Sequence, residues 1–351
     1  MSLGASLRPA LFIAKKLHDH FHVVLLAPHI SPKLRNILRN YVDELYFPKI
    51  PLMYSGSLAV LEAWLRSFIH KVNISYNEAI VLNFSSTVKI KSDIYYGQGP
   101  ISAALNDIHV EMPNKYKYLY KLFSPIIKKI DAKFISYIRK NTVLFIANSK
   151  YSAELYRTLG VHVDGIIYPP LNTEYFKPVT SNPSSDYVLT YFGKETEFSV
   201  IKKIADLGVK IKAFGEKAPY IPNHILKHKN IDYLGKVSNK DLISLYSNAL
   251  YTLFPFTHEP FGYVPVESMA CGTPVLTYNK QGPSETVVHG ATGWLVNDEK
   301  ELVEVALKIW NNGYSKVMRR KCRKYVVRFS ANKILRTWTD MVSKIANTLY
   351  R

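Results

Sequence analysis

The chain has 351 residues, 47% apolar and 21% charged, which suits two globular domains and excludes a disordered, collagenous or coiled-coil protein. No apolar run reaches the ~18–20 residues needed to cross a bilayer. The N-terminal apolar stretch, broken by Arg8, Lys15 and Lys16, makes a poor signal peptide. Cys271 and Cys322 are too few for a disulfide-built domain, so a reducing, cytoplasmic location is expected.

Charge is the unusual quantity. Lys and Arg number 46 against 27 Asp and Glu, a formal +19. Two stretches hold most of it: residues 115–140 carry eight basic residues against Asp131 alone, and residues 314–351 carry eleven against Asp340 alone. Such stretches point to nucleic acid, an anionic membrane surface, or simply solvated helix faces.

In chain order, residues 9–18 read as a helix and 22–27 as a buried strand. Short strands follow at 79–84, 94–96, 143–148 and 165–168, with a helix at 150–159 ending at Gly160. Residues 178–186 are polar and hold two prolines, the composition of a linker. Beyond it the alternation restarts: strand 187–192, helix 198–207, strands 210–214 and 231–234, helix 239–247, strand 251–254, helix 265–270, strand 274–278. Alternation of this kind predicts α/β domains with parallel sheets, here two units with a cleft between them. A doubly wound domain normally opens with a strand, yet only residues 1–8 precede the first helix. Either the start lies upstream or that strand is missing.

The densest signal runs from His258 to Pro274. A strand ends at Phe254, and a loop carries Glu259. Gly262 lets a ligand approach the backbone, and Pro265 suits a first helical position. Gly272 and Pro274 end the short helix. Amides from Phe261 to Tyr263 are expected to point outward at the helix start, where a phosphate binds readily. Glu267, in the first turn, is placed to accept hydrogen bonds from ribose hydroxyls.

Glu259 and Glu267, within Glu-Pro-Phe-Gly and Glu-Ser-Met-Ala-Cys-Gly-Thr-Pro-Val, resemble the signature of glycosyltransferase family 4. The likeness continues through Gly282-Pro283-Ser284-Glu285-Thr286 to Gly293-Trp294-Leu295-Val296, and upstream through Tyr233-Leu234-Gly235-Lys236-Val237-Ser238. It is looser at Ala147-Asn148-Ser149 and Tyr168-Pro169-Pro170. The resemblance implies a GT-B fold, α/β with two Rossmann-like domains whose parallel sheets face across a cleft. It places an acceptor-side domain at 1–178, a donor-binding domain at 179–330, and a C-terminal helix, 331–351, crossing back to the first domain. It implies a retaining enzyme moving a hexose from a UDP- or GDP-sugar to a glycan or lipid-linked acceptor, by front-face transfer without metal or other cofactor.

Carried over residue by residue, the resemblance puts Glu259 on the donor sugar and the amides of Phe261, Gly262 and Tyr263 near the sugar and diphosphate. Glu267 would hold the ribose. Gly193 and Lys194 match a Gly-Arg whose cation neutralises the leaving diphosphate. Gly215, Glu216 and Val237 would flank the base. A second cation is expected five positions after Lys194, where Ser199 stands; Lys202 and Lys203 are the nearby substitutes. Gln98 occupies the position where many relatives carry a histidine; glutamine positions a hydroxyl but is no base. Gly4 resembles a reduced form of the family's glycine loop facing the phosphates.

Plainer readings accompany these. Glu259 and Glu267 also suit the helix dipole, Lys194 also reads as a surface lysine, Gln98 as a turn residue and Cys271 as core. The histidines show no ligand spacing. The cationic stretches 115–140 and 314–351 are candidates for an anionic membrane surface at the inner face, or for docking and solubility. Two alternatives in function are sugar transfer to nucleic acid, and a non-catalytic nucleotide-sugar-binding relative.

Overall fold

The structure, a computed structural model, describes residues 7–27, 35–36, 38–46, 62, 64–66, 79–111, 114–216 and 221–349. The chain forms two compact units. One comprises Leu3–Ala103, Pro125–Pro170 and Ala331–Arg351; the other comprises Met1–Ser2, Ala104–Ser124 and Leu171–Ser330.

In the N-terminal unit, helix α1 (Arg8–Leu17) opens on Pro9, whose missing N–H costs nothing in a first turn. Strand β1 (Val24–Leu26) pairs in parallel with β2 (Glu44–Tyr46). A second parallel sheet has the order β3 (Leu82–Asn83), β4 (Ser92–Gly97), β5 (Thr142–Ala147), β6 (Gly165–Ile166). Helices α2 (Ile101–Ile108) and α3 (Asn114–Lys140) lie in sequence between β4 and β5, and residues 104–124 belong to the other unit. Helix α4 (Lys150–Thr158) lies between β5 and β6, and its cap Ser149 accepts the Ser152 N–H.

Parallel strands bury both faces, and the alternation along β4 shows why these residues suit it. Ile94 and Tyr96 join Ile13 and Leu17 of α1 with Ile334, Leu335 and Trp338 of the C-terminal helix Ala331–Leu349. Tyr95 faces the other way, into Phe134 and Ile138 of α3, Phe145 of β5 and Tyr156 of α4. The last helix is therefore part of the N-terminal unit, packed along α1.

The C-terminal unit holds β7 (Val188–Tyr191), α5 (Phe198–Asp206), β8 (Ile211–Phe214), α6 (Asn223–Leu226), β9 (Ile231–Gly235), α7 (Asn239–Asn248) and β10 (Thr252–Phe254). After them come α8 (Tyr263–Ala270), β11 (Val275–Tyr278), α9 (Pro283–Thr286), β12 (Gly293–Val296), α10 (Glu299–Asn312) and α11 (Val317–Val326). All its named strands pair in parallel, in the order β12-β11-β10-β7-β8-β9. The chain walks outward from β7 through β8 to β9, then returns to β10 and walks the other way. That reversal leaves a crevice at the carboxyl ends of β7 and β10, where open α/β sheets bind their ligands.

Three of the eleven basic residues of the stretch 314–351 contact groups of their own unit. Arg319 donates to the carbonyls of Ser247 and Ala249 at the end of α7, and to Thr273 Oγ1. Arg323 donates to the carbonyls of Thr173, Phe176 and Ala270. Arg328 lies over the rings of Tyr325 and Phe329. The expectation that this stretch serves as a surface cation patch is thus corrected for Arg319 and Arg323, whose guanidinium groups serve carbonyls of buried residues in their own unit, whereas Arg328 is exposed.

Candidate active site

The loop after β10 and the loop after β7 are zipped together. Thr257 N–H donates to the Glu195 carbonyl at 2.8 Å, and Thr196 and Phe256 form an antiparallel bridge. This brings Gly193, Lys194 and Glu195 beside Glu259. A Cβ on Gly193 would lie 2.4 Å from the Tyr191 ring, so a side chain there would displace that ring or the Glu195 carboxylate. Its N–H donates to Thr196 Oγ1 at 2.8 Å. Lys194 is exposed.

Helix α8 begins at Tyr263, with Gly262 as its N-cap at φ +97°. Pro265 is therefore the third helical residue, not the first; it is tolerated because first-turn amides have no partner within the helix. Glu267 accordingly lies beyond the first turn. It is 2% exposed, and its Oε2 accepts the Tyr246 hydroxyl at 3.3 Å.

The amides expected to face an anion already hold one. Glu259 Oε1 accepts the N–H of Phe261 at 3.2 Å and of Gly262 at 3.0 Å. Burial, reinforced by the Glu195 carboxylate, pushes the Glu259 carboxyl up to about 7, against the pull of those two donors and of Lys194. A helix start that binds a carboxylate has the donors and the dipole to bind a phosphate or a sugar hydroxyl in exchange.

Two residues that the sequence reading passed over, Gln281 and Asp107, hold this loop. Gln281 Oε1 accepts the Glu259 N–H at 2.6 Å, while its Nε2 donates to Asp107 Oδ2 at 3.2 Å and the Thr257 carbonyl at 3.1 Å. Asp107 Oδ2 also pairs with His258 Nδ1 at 2.8 Å. Burial works to raise Asp107, yet the contacts from His258, Asn106 and Gln281 leave its carboxyl below the ordinary value. Gln281 adopts φ +54°, a left-handed backbone that only its neighbours can impose. Its place directly before Gly282-Pro283 was the available signal; Asp107, 151 residues from His258, offered none.

The remaining residues flank this centre. Gly215, at φ +127°, follows β8, and its carbonyl accepts the Tyr233 hydroxyl at 2.6 Å. Glu216 pairs with Lys236 on the rim, next to half-buried Val237. Lys202 and Lys203 are paired with Asp206 and Glu299. Gln98 lies in the N-terminal unit, in the turn after β4, where Gly99 N–H donates to the Tyr156 hydroxyl at 3.0 Å. Gly4 lies outside the described residues. Among the described residues no three His, Cys, Asp or Glu side chains converge as a metal site.

Comparison with known proteins bears on the family and the fold. Residues 183–328 match the family Glycosyl transferases group 1. A probable sucrose-phosphate synthase of Thermosipho melanesiensis is 31% identical over 116 residues, 32% of this chain and 27% of that protein, so the match spans about a quarter of the relative. A 41.2 kDa protein of the cps region of Klebsiella pneumoniae is 27% identical over 307 residues, covering 77% of this chain and 82% of its own. The crystal structure of Anabaena HepE in complex with UDP superposes with a TM-score of 0.69 at 16% identity, over 97% of this chain and 96% of HepE. The chain as a whole has the fold of GT-B glycosyltransferases, and its residues 183–328 are similar to the glycosyl transferases group 1 family.

Proposed function

We propose that this protein is a retaining glycosyltransferase of family 4 that moves a hexose from a UDP- or GDP-sugar to a glycan or lipid-linked acceptor. One observation carries most weight: the Glu259 carboxylate sits on the Phe261 and Gly262 amides at the β7/β10 switch point, inside the stretch that matches the family. The UDP complex of HepE supports a nucleotide-sugar as the donor.

In the proposed reaction the anomeric carbon–oxygen bond to the diphosphate breaks, and its electron pair leaves with the phosphate oxygen. The acceptor oxygen bonds to the same face of the sugar, and its proton passes to that departing oxygen. The demand on the protein is then to hold the sugar and stabilise charge on the diphosphate. Glu259 would hold sugar hydroxyls, the Phe261 and Gly262 amides and Lys194 the diphosphate, and Glu267 the ribose. Gly215, Glu216 and Val237 would border the base, and Gln98 an acceptor hydroxyl. No metal or other cofactor is assigned a role. We place the protein in the cytoplasm, where its two free cysteines stay reduced.

Glu195 beside the diphosphate position favours a second possibility, donor binding without transfer. A melting-shift screen against UDP-, GDP-, ADP- and TDP-sugars identifies the donor, because a bound ligand stabilises the folded state by mass action. Transfer, with the anomeric configuration of the product read by NMR, then separates the two. Glu259→Ala is expected to cut turnover at least ~10²-fold; unchanged turnover would overturn the site, and binding without transfer the reaction.

A further inference from the structure

Helix α3 is apolar on two sides. Inward, Phe134, Ile135 and Ile138 are buried in the core of the N-terminal unit, with Ile127 and Ile130 packed against them. Outward, five large apolar side chains lie in solvent within nine residues: Tyr118 is 73% exposed, Leu119 45%, Leu122 70%, Phe123 46% and Ile126 55%. Tyr118, Leu122 and Ile126 succeed one another at four-residue spacing, and Leu119 and Phe123 form a second row beside them. The two rows make one stripe about 12 Å long on a single helix face. Scattered exposed apolar residues need no explanation, but a contiguous stripe marks an interaction surface.

The charges around it select the occupant. Lys121, Lys128, Lys129, Lys133 and Lys140 are exposed on the same helix. Its one acid, Asp131, is 1% exposed and turned inward, where Oδ2 accepts the Ser102 N–H at 2.7 Å. The outward surface of α3 therefore offers apolar side chains and cations together, with no acid of its own. Nucleic acid has no use for Leu122 and Ile126, and a second copy docked on the same face would set lysine against lysine. A bilayer with anionic headgroups satisfies both parts: the stripe enters the acyl boundary while the lysines reach the phosphates, as an interfacial amphipathic helix does.

We infer that the outward face of Asn114–Lys140 docks this protein on an anionic lipid surface. The inference stands on this surface alone and not on the donor site, so either may fail without the other.

Co-sedimentation of the full chain with vesicles tests it, using phosphatidylcholine alone and phosphatidylcholine in which a third of the lipid is phosphatidylglycerol. The protein is expected to sediment with the mixed vesicles only, and less so as salt rises. Lys128→Gln with Lys129→Gln should weaken partitioning by about 25-fold, from roughly 5-fold per lysine. Leu122→Gln with Ile126→Gln should weaken it at least ~10-fold with every charge retained. These side chains are exposed, so circular dichroism and the donor-induced melting shift should be unchanged in both double variants. Failure to bind mixed vesicles, equal binding to both kinds, or full binding by the Leu122/Ile126 variant would each overturn the inference. So would a dimer in sedimentation velocity that the same variant dissolves, because a second copy would then cover the stripe.

Discussion

Gln281 accepts the backbone N–H of Glu259 at 2.6 Å from a left-handed backbone, φ +54°, that glutamine rarely adopts. The conformation turns both ends of the side-chain amide to use, one on Glu259 and the other on Asp107 and Thr257. A strained residue thus holds the backbone beside the carboxylate proposed to bind the donor sugar.

Gln281→Ala and Gln281→Gly both lose these hydrogen bonds, but only alanine keeps the strain. The glycine variant is expected to be the more stable by about 1 kcal/mol in urea unfolding. Both should lose turnover to a similar extent, at least ~10-fold, with donor KM changing less, because relieving strain does not restore the position of Glu259. Recovery of kcat in the glycine variant would show that Gln281 acts on stability alone.

Glu259 titrates higher in the folded chain, at about 7, than its ordinary value of 4.5. The folded state therefore binds this proton more tightly than the unfolded state. That gain is complete below about pH 4.5 and is lost as pH rises through 7, amounting to at most about 3 kcal/mol. Glu259→Gln, which keeps an oxygen for the two amides and never ionises, should lose less thermal stability than the wild type between about pH 5 and pH 8. Parallel Tm curves would count against the elevated carboxyl.

A Cβ on Gly282 would stand 2.4 Å from the Phe261 nitrogen and 2.5 Å from the Pro260 carbonyl carbon, both backbone atoms. Gly282→Ala must displace the loop that presents the two amides. A loss of about 1–3 kcal/mol is expected in chemical denaturation. The nucleotide-sugar melting shift should disappear while circular dichroism stays that of the wild type.

Arg319 joins the end of α7 to the strand entry at Thr273 through Ser247, Ala249 and Thr273. Arg319→Ala leaves buried carbonyls unpaired and should cost at least about 3 kcal/mol. Arg319→Lys should recover little, since one ammonium cannot reproduce the fork. Neither change should alter the salt dependence of vesicle binding, because this guanidinium faces the protein interior.

The parallel α/β architecture was legible because its strands are short apolar runs separated by capped helices. Ser149 before α4, Ser238 before α7 and Asp298 before α10 each accept a first-turn N–H. Glu259, Phe261 and Gly262 were legible as a loop–helix junction, and they form one. What was read differently at that junction follows from Gly262. Its left-handed backbone starts α8 two residues before Pro265, so Glu267 falls past the first turn and into the interior. The same turn curls the Glu259 carboxylate back onto the amides expected to stand free.

The sequence by itself determined the local events: where helices begin and end, which strands are buried on both faces, and that two acids flank a glycine turn. Only the tertiary structure decided which distant groups hold that turn and which charges remain outside. Asp107 reaches His258 and Gln281 across more than a hundred residues, Arg319 and Arg323 turn inward, and the apolar side of α3 stays in solvent. The physical reason is that propensity and periodicity act between near neighbours on the chain. Pairing of buried polar groups and burial of a helix face depend on what the fold brings alongside.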